Sequence, residues 1–102
     1  MNLSMIKQAL ELRSKMEKIQ KELSKMTVEA ESGGGSVKVT ANGQQKILSI
    51  TIAPELIDPG KAGQLEKLVL KAVTEALDKS KKLASKSMGK LTGGFKIPGI
   101  TG

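Results

Sequence analysis

The fold is decided by residues 27–52, which read TVEAESGGGSVKVTANGQQKILSITI. Apolar and polar side chains alternate there in three short runs, separated by a glycine triplet at 33–35 and by Asn42-Gly43. The alternation predicts strands with one apolar face, and Asn-Gly predicts a tight hairpin because both turn positions need positive φ. The apolar positions are Val28, Ala30, Val37, Val39, Ala41, Leu48, Ile50 and Ile52. The stretch therefore predicts a three-stranded antiparallel meander.

A helix is predicted before the meander, over residues 3–26. Apolar residues recur there at alternating spacings of four and three, and neither Gly nor Pro interrupts them. They are Met5, Ala9, Leu12, Met16, Ile19, Leu23 and Met26. Such a seam must be buried against another helix or a sheet. Two interpretations stay open: a helix that packs on its own core, and a helix that packs across subunits against its symmetry mate.

A second helix is predicted after the meander. Asp58 suits the N-cap and Pro59 the first helical position, and apolar residues then recur at helical spacing. Gly89 suits a C-cap, so the helix should end at Met88. The prediction is one α-β-β-β-α domain of the α+β class over residues 1–88, a meander flanked by two long helices. Residues 89–102, with five glycines and a proline, are predicted to form a flexible tail.

The charge balance favours an acidic partner. Lys and Arg number 17 against 10 Asp and Glu, which gives a formal net charge of +7. The excess lies in the two helices and the tail, whereas residues 27–58 are slightly acidic. Nucleic acid, an anionic membrane and an acidic protein would all fit, and the excess could also serve solubility alone.

Absent residue types exclude several functions. The chain has no Cys, His, Trp or Tyr, and Phe95 is its single aromatic residue. Thiol and imidazole catalysis are thereby excluded, so no enzyme, metal or cofactor is expected. Base-stacking folds that bind single strands need several aromatic residues. The sequence also lacks a membrane-spanning run and a signal-peptide core, so a cytoplasmic location is expected.

The lysines are the candidate binding residues. Lys outnumbers Arg by sixteen to one, and Lys is a point charge that suits phosphates better than base edges. Duplex DNA bound mainly through its backbone is therefore the favoured partner, although each lysine alone is more often simply solvated. The candidate contacts are Lys18, Lys21 and Lys25 on the first helix, and Lys81, Lys82, Lys86 and Lys90 near the end of the second. The alternative is a module that docks a replication or recombination protein; without Trp, membrane insertion is disfavoured.

The order of these segments resembles the YbaB/EbfC family of bacterial nucleoid-associated proteins over essentially the whole chain. The matching motifs are VEAESGGG at 28–35, VKVT at 37–40 with NG at 42–43, IAPEL at 52–56, and MGKLTGG at 88–94. The resemblance implies a homodimer that binds DNA in the nucleoid, with a role in chromosome organisation or gene expression. Gly60 and Gly63 depart from the family pattern and weaken the start of the second helix.

Overall fold

The computed structural model describes residues 2–91 and has the predicted α-β-β-β-α order. The helices and strands are α1 (Leu3–Lys25), β1 (Thr27–Ser32), β2 (Val37–Asn42), β3 (Ile47–Ile52) and α2 (Ala62–Leu91). Most of the predicted tail lies outside the described residues. The α+β fold class predicted from the sequence is confirmed.

One face of the sheet forms the core. The strands pair antiparallel in the order β1-β2-β3, with Val39 between Ala30 on one side and Ile50 on the other. Helix α2 lies across this face and brings Ala72 and Ala76 against it, where both are fully buried. Their small side chains let the helix approach β1 and β2 closely. The third strand receives less cover, and Ile50 keeps 46% of its surface exposed.

The β1–β2 connection is the predicted glycine turn. Gly33, Gly34 and Gly35 have φ values of 59°, 67° and 92°, a region that residues with a Cβ rarely adopt. Three consecutive positions of this kind explain the triplet. Its role is therefore to reverse the chain between two strands.

The β2–β3 hairpin forms where it was predicted, but the physical reason given for it was wrong. The residue with positive φ is Gln45, at 64°, and Gly43 lies outside that region. Gly43 is instead required by a close approach: a Cβ there would stand 2.8 Å from the carbonyl oxygen of Leu23. Its amide donates to that oxygen at 2.8 Å. The glycine thus lets the end of α1 rest on the hairpin.

Both ends of α2 differ from the prediction. Asp58 accepts from the amide of Gly60 at 2.9 Å, but it caps a short 3-10 turn at Pro59–Lys61, and α2 begins after this turn at Ala62. The helix then runs through Gly89 to Leu91, so the end predicted at Met88 is wrong. A glycine in a helix costs only about 1 kcal/mol, which the other residues of a long helix offset.

Helix α1 lies mostly outside the core. Within the described residues Leu23 is its single buried side chain, and Ile19 is half-buried. Its first interpretation, a helix packed on its own core, therefore applies only to the last turns. The molecule measures 67 × 24 × 19 Å because this helix projects beyond the sheet.

Gly43→Ala should lower the free energy of unfolding by about 1–3 kcal/mol, because the added methyl collides with backbone atoms of Leu23. Gly63→Ala is the control, since a Cβ there meets nothing within 4 Å and helix propensity should raise stability by about 0.5–1 kcal/mol. Urea unfolding followed by circular dichroism measures both. Equal stability of the two variants would contradict the close approach.

Candidate nucleic-acid interface

Two helical arms extend from the hairpin end of the sheet. One buried residue, Asn42, is hydrogen-bonded to both helices and so fixes their positions. Asn42 donates from its side chain to the carbonyl of Ser24 on α1, at 3.4 Å, and its own carbonyl accepts from Ser80 of α2, at 2.7 Å. Beyond this level α2 continues over residues 81–91, roughly 16 Å, and α1 reaches back to Leu3, roughly 30 Å. These projecting parts are here called the arms.

Ser80 holds the α2 arm in place. Its side chain is completely buried, and its hydroxyl also accepts from the amide of Gln45 at 2.9 Å. The role of Ser80 was not predicted from the sequence, because the residue sits among lysines. The available signal was spacing: Ala72, Ala76 and Ser80 are four residues apart and therefore share the buried face of the helix.

The α1 candidates form one group. Lys18, Lys21 and Lys25 are all exposed and are spaced by three and four, which puts them on one face of the helix. At 100° per residue this face lies opposite Leu23, the residue that anchors α1. These three lysines therefore point away from the body of the protomer.

The α2 candidates divide into a row and a single residue. Lys82, Lys86 and Lys90 are exposed and follow one another at a spacing of four, so they form one line, here called the lysine row. Lys81 is exposed too, but it lies about 100° around the helix from Lys82. The fold brings three of the four α2 candidates together and separates the fourth.

The lysine row lies on the β1 side of α2. Lys79, one turn before Lys82, donates from Nζ to the carbonyl of Glu29 in β1 at 2.6 Å. This contact was missed from the sequence, because charge counting does not distinguish a lysine that bonds the sheet from one that is free. It fixes the direction in which the row faces.

The candidate lysines are not neutralised within the protomer. In the described part of the chain the one salt bridge joins Arg13 to Glu17 at 3.2 Å, and both side chains are largely exposed. None of the seven candidate lysines therefore pairs with a carboxylate among residues 2–91. Their charge is available to an external anion, whereas the single arginine is engaged.

No helix within residues 2–91 is long and apolar enough to cross a membrane.

Comparison with known proteins defines the class of the molecule. The chain is 47% identical over 96 residues to a nucleoid-associated protein of Pelotomaculum thermopropionicum, covering 94% of this chain and 91% of that protein. It is 49% identical over 96 residues to a nucleoid-associated protein of Desulforamulus reducens, with the same coverage of both chains. The relatives thus point to a class of bacterial proteins that associate with the nucleoid.

The family follows from the match to its model. Residues 1–95 match the model of the YbaB/EbfC DNA-binding family, and the chain belongs to that family. The resemblance noted in the sequence is therefore confirmed. The crystal structure of an uncharacterised Helicobacter pylori protein superposes with a TM-score of 0.59 at 18% identity, covering 71% of this chain and 83% of that one. This likeness shows the fold.

Ser80→Ala should lower the free energy of unfolding by about 1–3 kcal/mol, because it removes the two hydrogen bonds of a completely buried hydroxyl, one donated to the carbonyl of Asn42 and one accepted from the amide of Gln45. Ser85→Ala, on an exposed position of the same helix, is the control and should change stability by less than about 0.5 kcal/mol. Thermal unfolding of both variants measures the difference. Similar melting temperatures would show that the bonds of Ser80 do not hold the arm.

Proposed function

We propose that the protein binds duplex DNA as a homodimer, mainly through phosphate contacts from lysines on its two arms. The observation that carries this proposal is the set of seven exposed candidate lysines, on or at the base of the arms, none paired with a carboxylate among the described residues. An ammonium group free of a protein partner can replace a counterion at a DNA phosphate, which is the main source of sequence-independent affinity. The role we infer is non-catalytic, in the cytoplasmic nucleoid, in chromosome organisation or gene expression.

The charge distribution supports the arms as the contact surface. The face of the sheet turned away from α2 carries Glu29 and Glu31 beside Lys38, so it offers no net positive field. The arms carry lysines at helical spacing, so several ammonium groups point the same way. With sixteen lysines and one arginine, base readout should contribute little.

The dimer face we propose is the β3 edge with the adjoining side of α2. Strand β3 is an edge strand, and an unpaired edge is a template for a further strand. Ile50 and Leu70 expose 46% and 68% of their surfaces, and Leu65, Val69 and Val73 are only half-buried beside them. The other edge, β1, carries acidic side chains and the Lys79 contact, so it is less suited to pairing. A two-fold axis at β3 would join two sheets and repeat the arms.

The exposed apolar seam of α1 is the one feature that favours the alternative, a docked replication or recombination protein. If an intact dimer fails to bind DNA at low salt, a replication or recombination protein becomes the proposed partner.

Replacing the lysine row by acidic residues, Lys82→Glu with Lys86→Glu and Lys90→Glu, should abolish binding to a random duplex. The matched control is Lys38→Glu with Lys61→Glu and Lys67→Glu, which changes net charge equally but lies on the sheet and near the start of α2, away from the arms, and should retain most affinity. Fluorescence anisotropy of a labelled duplex measures both. Equal loss in the two variants would mean that net charge, not the arm surface, determines binding.

Titration of the unaltered protein at several salt concentrations should give a steep dependence. A dimer that contacts about 6–10 phosphates loses roughly three to five decades of affinity between about 50 and 200 mM salt. A flat dependence would contradict phosphate contacts as the main source of affinity.

Ile50→Glu should convert the dimer to a folded monomer, because it buries a charge at the proposed contact. Thr51→Glu is the control: it is next to Ile50 on the same strand but faces the polar side of the sheet. Sedimentation velocity gives the oligomeric state, and circular dichroism shows whether the variant is folded. A folded Ile50→Glu variant that remains dimeric would place the dimer contact elsewhere.

A further inference from the structure

An apolar stripe on α1 continues past the point where α2 covers it. At spacings of three and four it extends the line of Leu23 and Ile19 toward the N-terminus. Its members, called the α1 stripe, are Met5, Ala9, Leu12 and Met16, and all four are exposed. Met5 and Leu12 keep 62% and 51% of their surfaces. The stripe faces the same side as the anchored end of α1, so it faces the space beyond the end of α2.

The α2 arm is too short to cover the N-terminal part of this stripe, from Met5 to Leu12. Ser24 and Ser80 lie at the same level because both bond to Asn42. From there α2 rises roughly 16 Å to Leu91, which brings it level with about the middle of α1. Leu83 and Met88 on the α2 arm are half-buried although the sheet ends below them, as expected if α2 packs beside the lower half of α1. The upper half of α1 has no such neighbour among the described residues.

The chain that follows α2 starts beside the uncovered stripe. Residues 92–102 read TGGFKIPGITG, with two glycines that permit a change of direction and then Phe95 and Ile97. Eleven extended residues span roughly 35 Å, whereas the uncovered half of α1 is only about 15 Å long. The segment can therefore reach every residue of the stripe without strain.

The chemistry of the two segments matches. Phe95 is the one aromatic residue of the chain, and methionine sulfur makes favourable contacts with aromatic rings. A second copy fits less well, because the stripe from Met5 to Met16 spans fewer than two heptads and a coiled coil needs about three or four. A tethered segment is also present at about millimolar effective concentration, which a freely diffusing chain does not reach.

We propose that Phe95 and Ile97 of the same chain pack on the α1 stripe. The docked segment then links the end of α2 to the upper half of α1, so the two arms are braced at a second point besides Asn42. The inference concerns the protein without DNA and does not depend on DNA binding.

Paramagnetic relaxation in the full-length protein tests the contact. The described residues contain no cysteine and neither does the rest of the chain, so Lys96→Cys provides a single site for a nitroxide label. Methyl signals of Met5, Ala9 and Met16 should be strongly broadened, and that of Ala30 in the core should not. Uniformly weak broadening at all four methyls would overturn the proposal.

A second labelled variant separates docking from mere proximity of a tethered chain. Adding Phe95→Ser and Ile97→Ser to the Lys96→Cys protein removes the apolar side chains but keeps the tether. Broadening at Met5 and Ala9 should then fall severalfold, and unchanged broadening would overturn the proposal. Ile100→Ser in the same background is the matched control and should keep the broadening.

A mixed sample identifies which chain supplies the segment. Isotope-labelled protein without the nitroxide and unlabelled, nitroxide-bearing protein are unfolded and refolded together, so that mixed dimers form. Docking within one chain predicts no broadening in the isotope-labelled subunits. Broadening at their Met5 and Met16 methyls would show that the segment docks on a second copy, and would overturn the proposal as stated.

Discussion

The positions of both helices depend on the hydrogen bonds of one buried residue, Asn42. Its side-chain oxygen accepts from the amides of Gln44 and Lys46, its side-chain nitrogen donates to Ser24, and its carbonyl accepts from Ser80. One asparagine thereby joins the end of α1, the β2–β3 hairpin and the middle of α2. No buried side-chain nitrogen or oxygen among residues 2–91 lacks a partner. Since an unpaired buried polar group costs about 1–3 kcal/mol, a helix that shifts away from this junction exposes the protein to that penalty.

The protomer separates two kinds of surface. Its exposed apolar side chains lie at the β3 side of the sheet and along α1, while its net positive charge is concentrated on the arms. A chain of 102 residues buries too little surface to cover every apolar side chain by itself. This arrangement suits a molecule in which the sheet mediates assembly and the arms meet an anion. The family membership of the chain agrees with the second of these assignments.

Periodicity predicted the helices and strands but not which of their faces are buried in the protomer. The period-two pattern of residues 27–52 predicted all three strands, but the buried position predicted at Leu48 was wrong. A register shift at Thr40/Ala41 places Ile47 against the core and leaves Leu48 exposed. The heptad seam of α1 correctly predicted a helix, yet it could not tell that most of the seam would be exposed in the protomer. Gly43 was assigned to turn geometry when its real constraint is contact with Leu23, which is distant in sequence. Contacts of this kind, like that of Lys79 with Glu29, depend on tertiary packing and leave no local pattern.

Helix α2 is continuous over thirty residues, from the sheet to the end of its arm, and contains no proline. It therefore acts as a rigid lever whose first half lies at the surface we assign to the dimer. A tilt of the whole protomer by about 10° about Ala62 would displace Leu91 by roughly 8 Å, given a rise of 1.5 Å per residue. That displacement exceeds twice the rise per phosphate along the DNA helix axis, about 3.4 Å for one strand. Small changes in how two sheets meet would thus alter which phosphates the arms can reach at the same time.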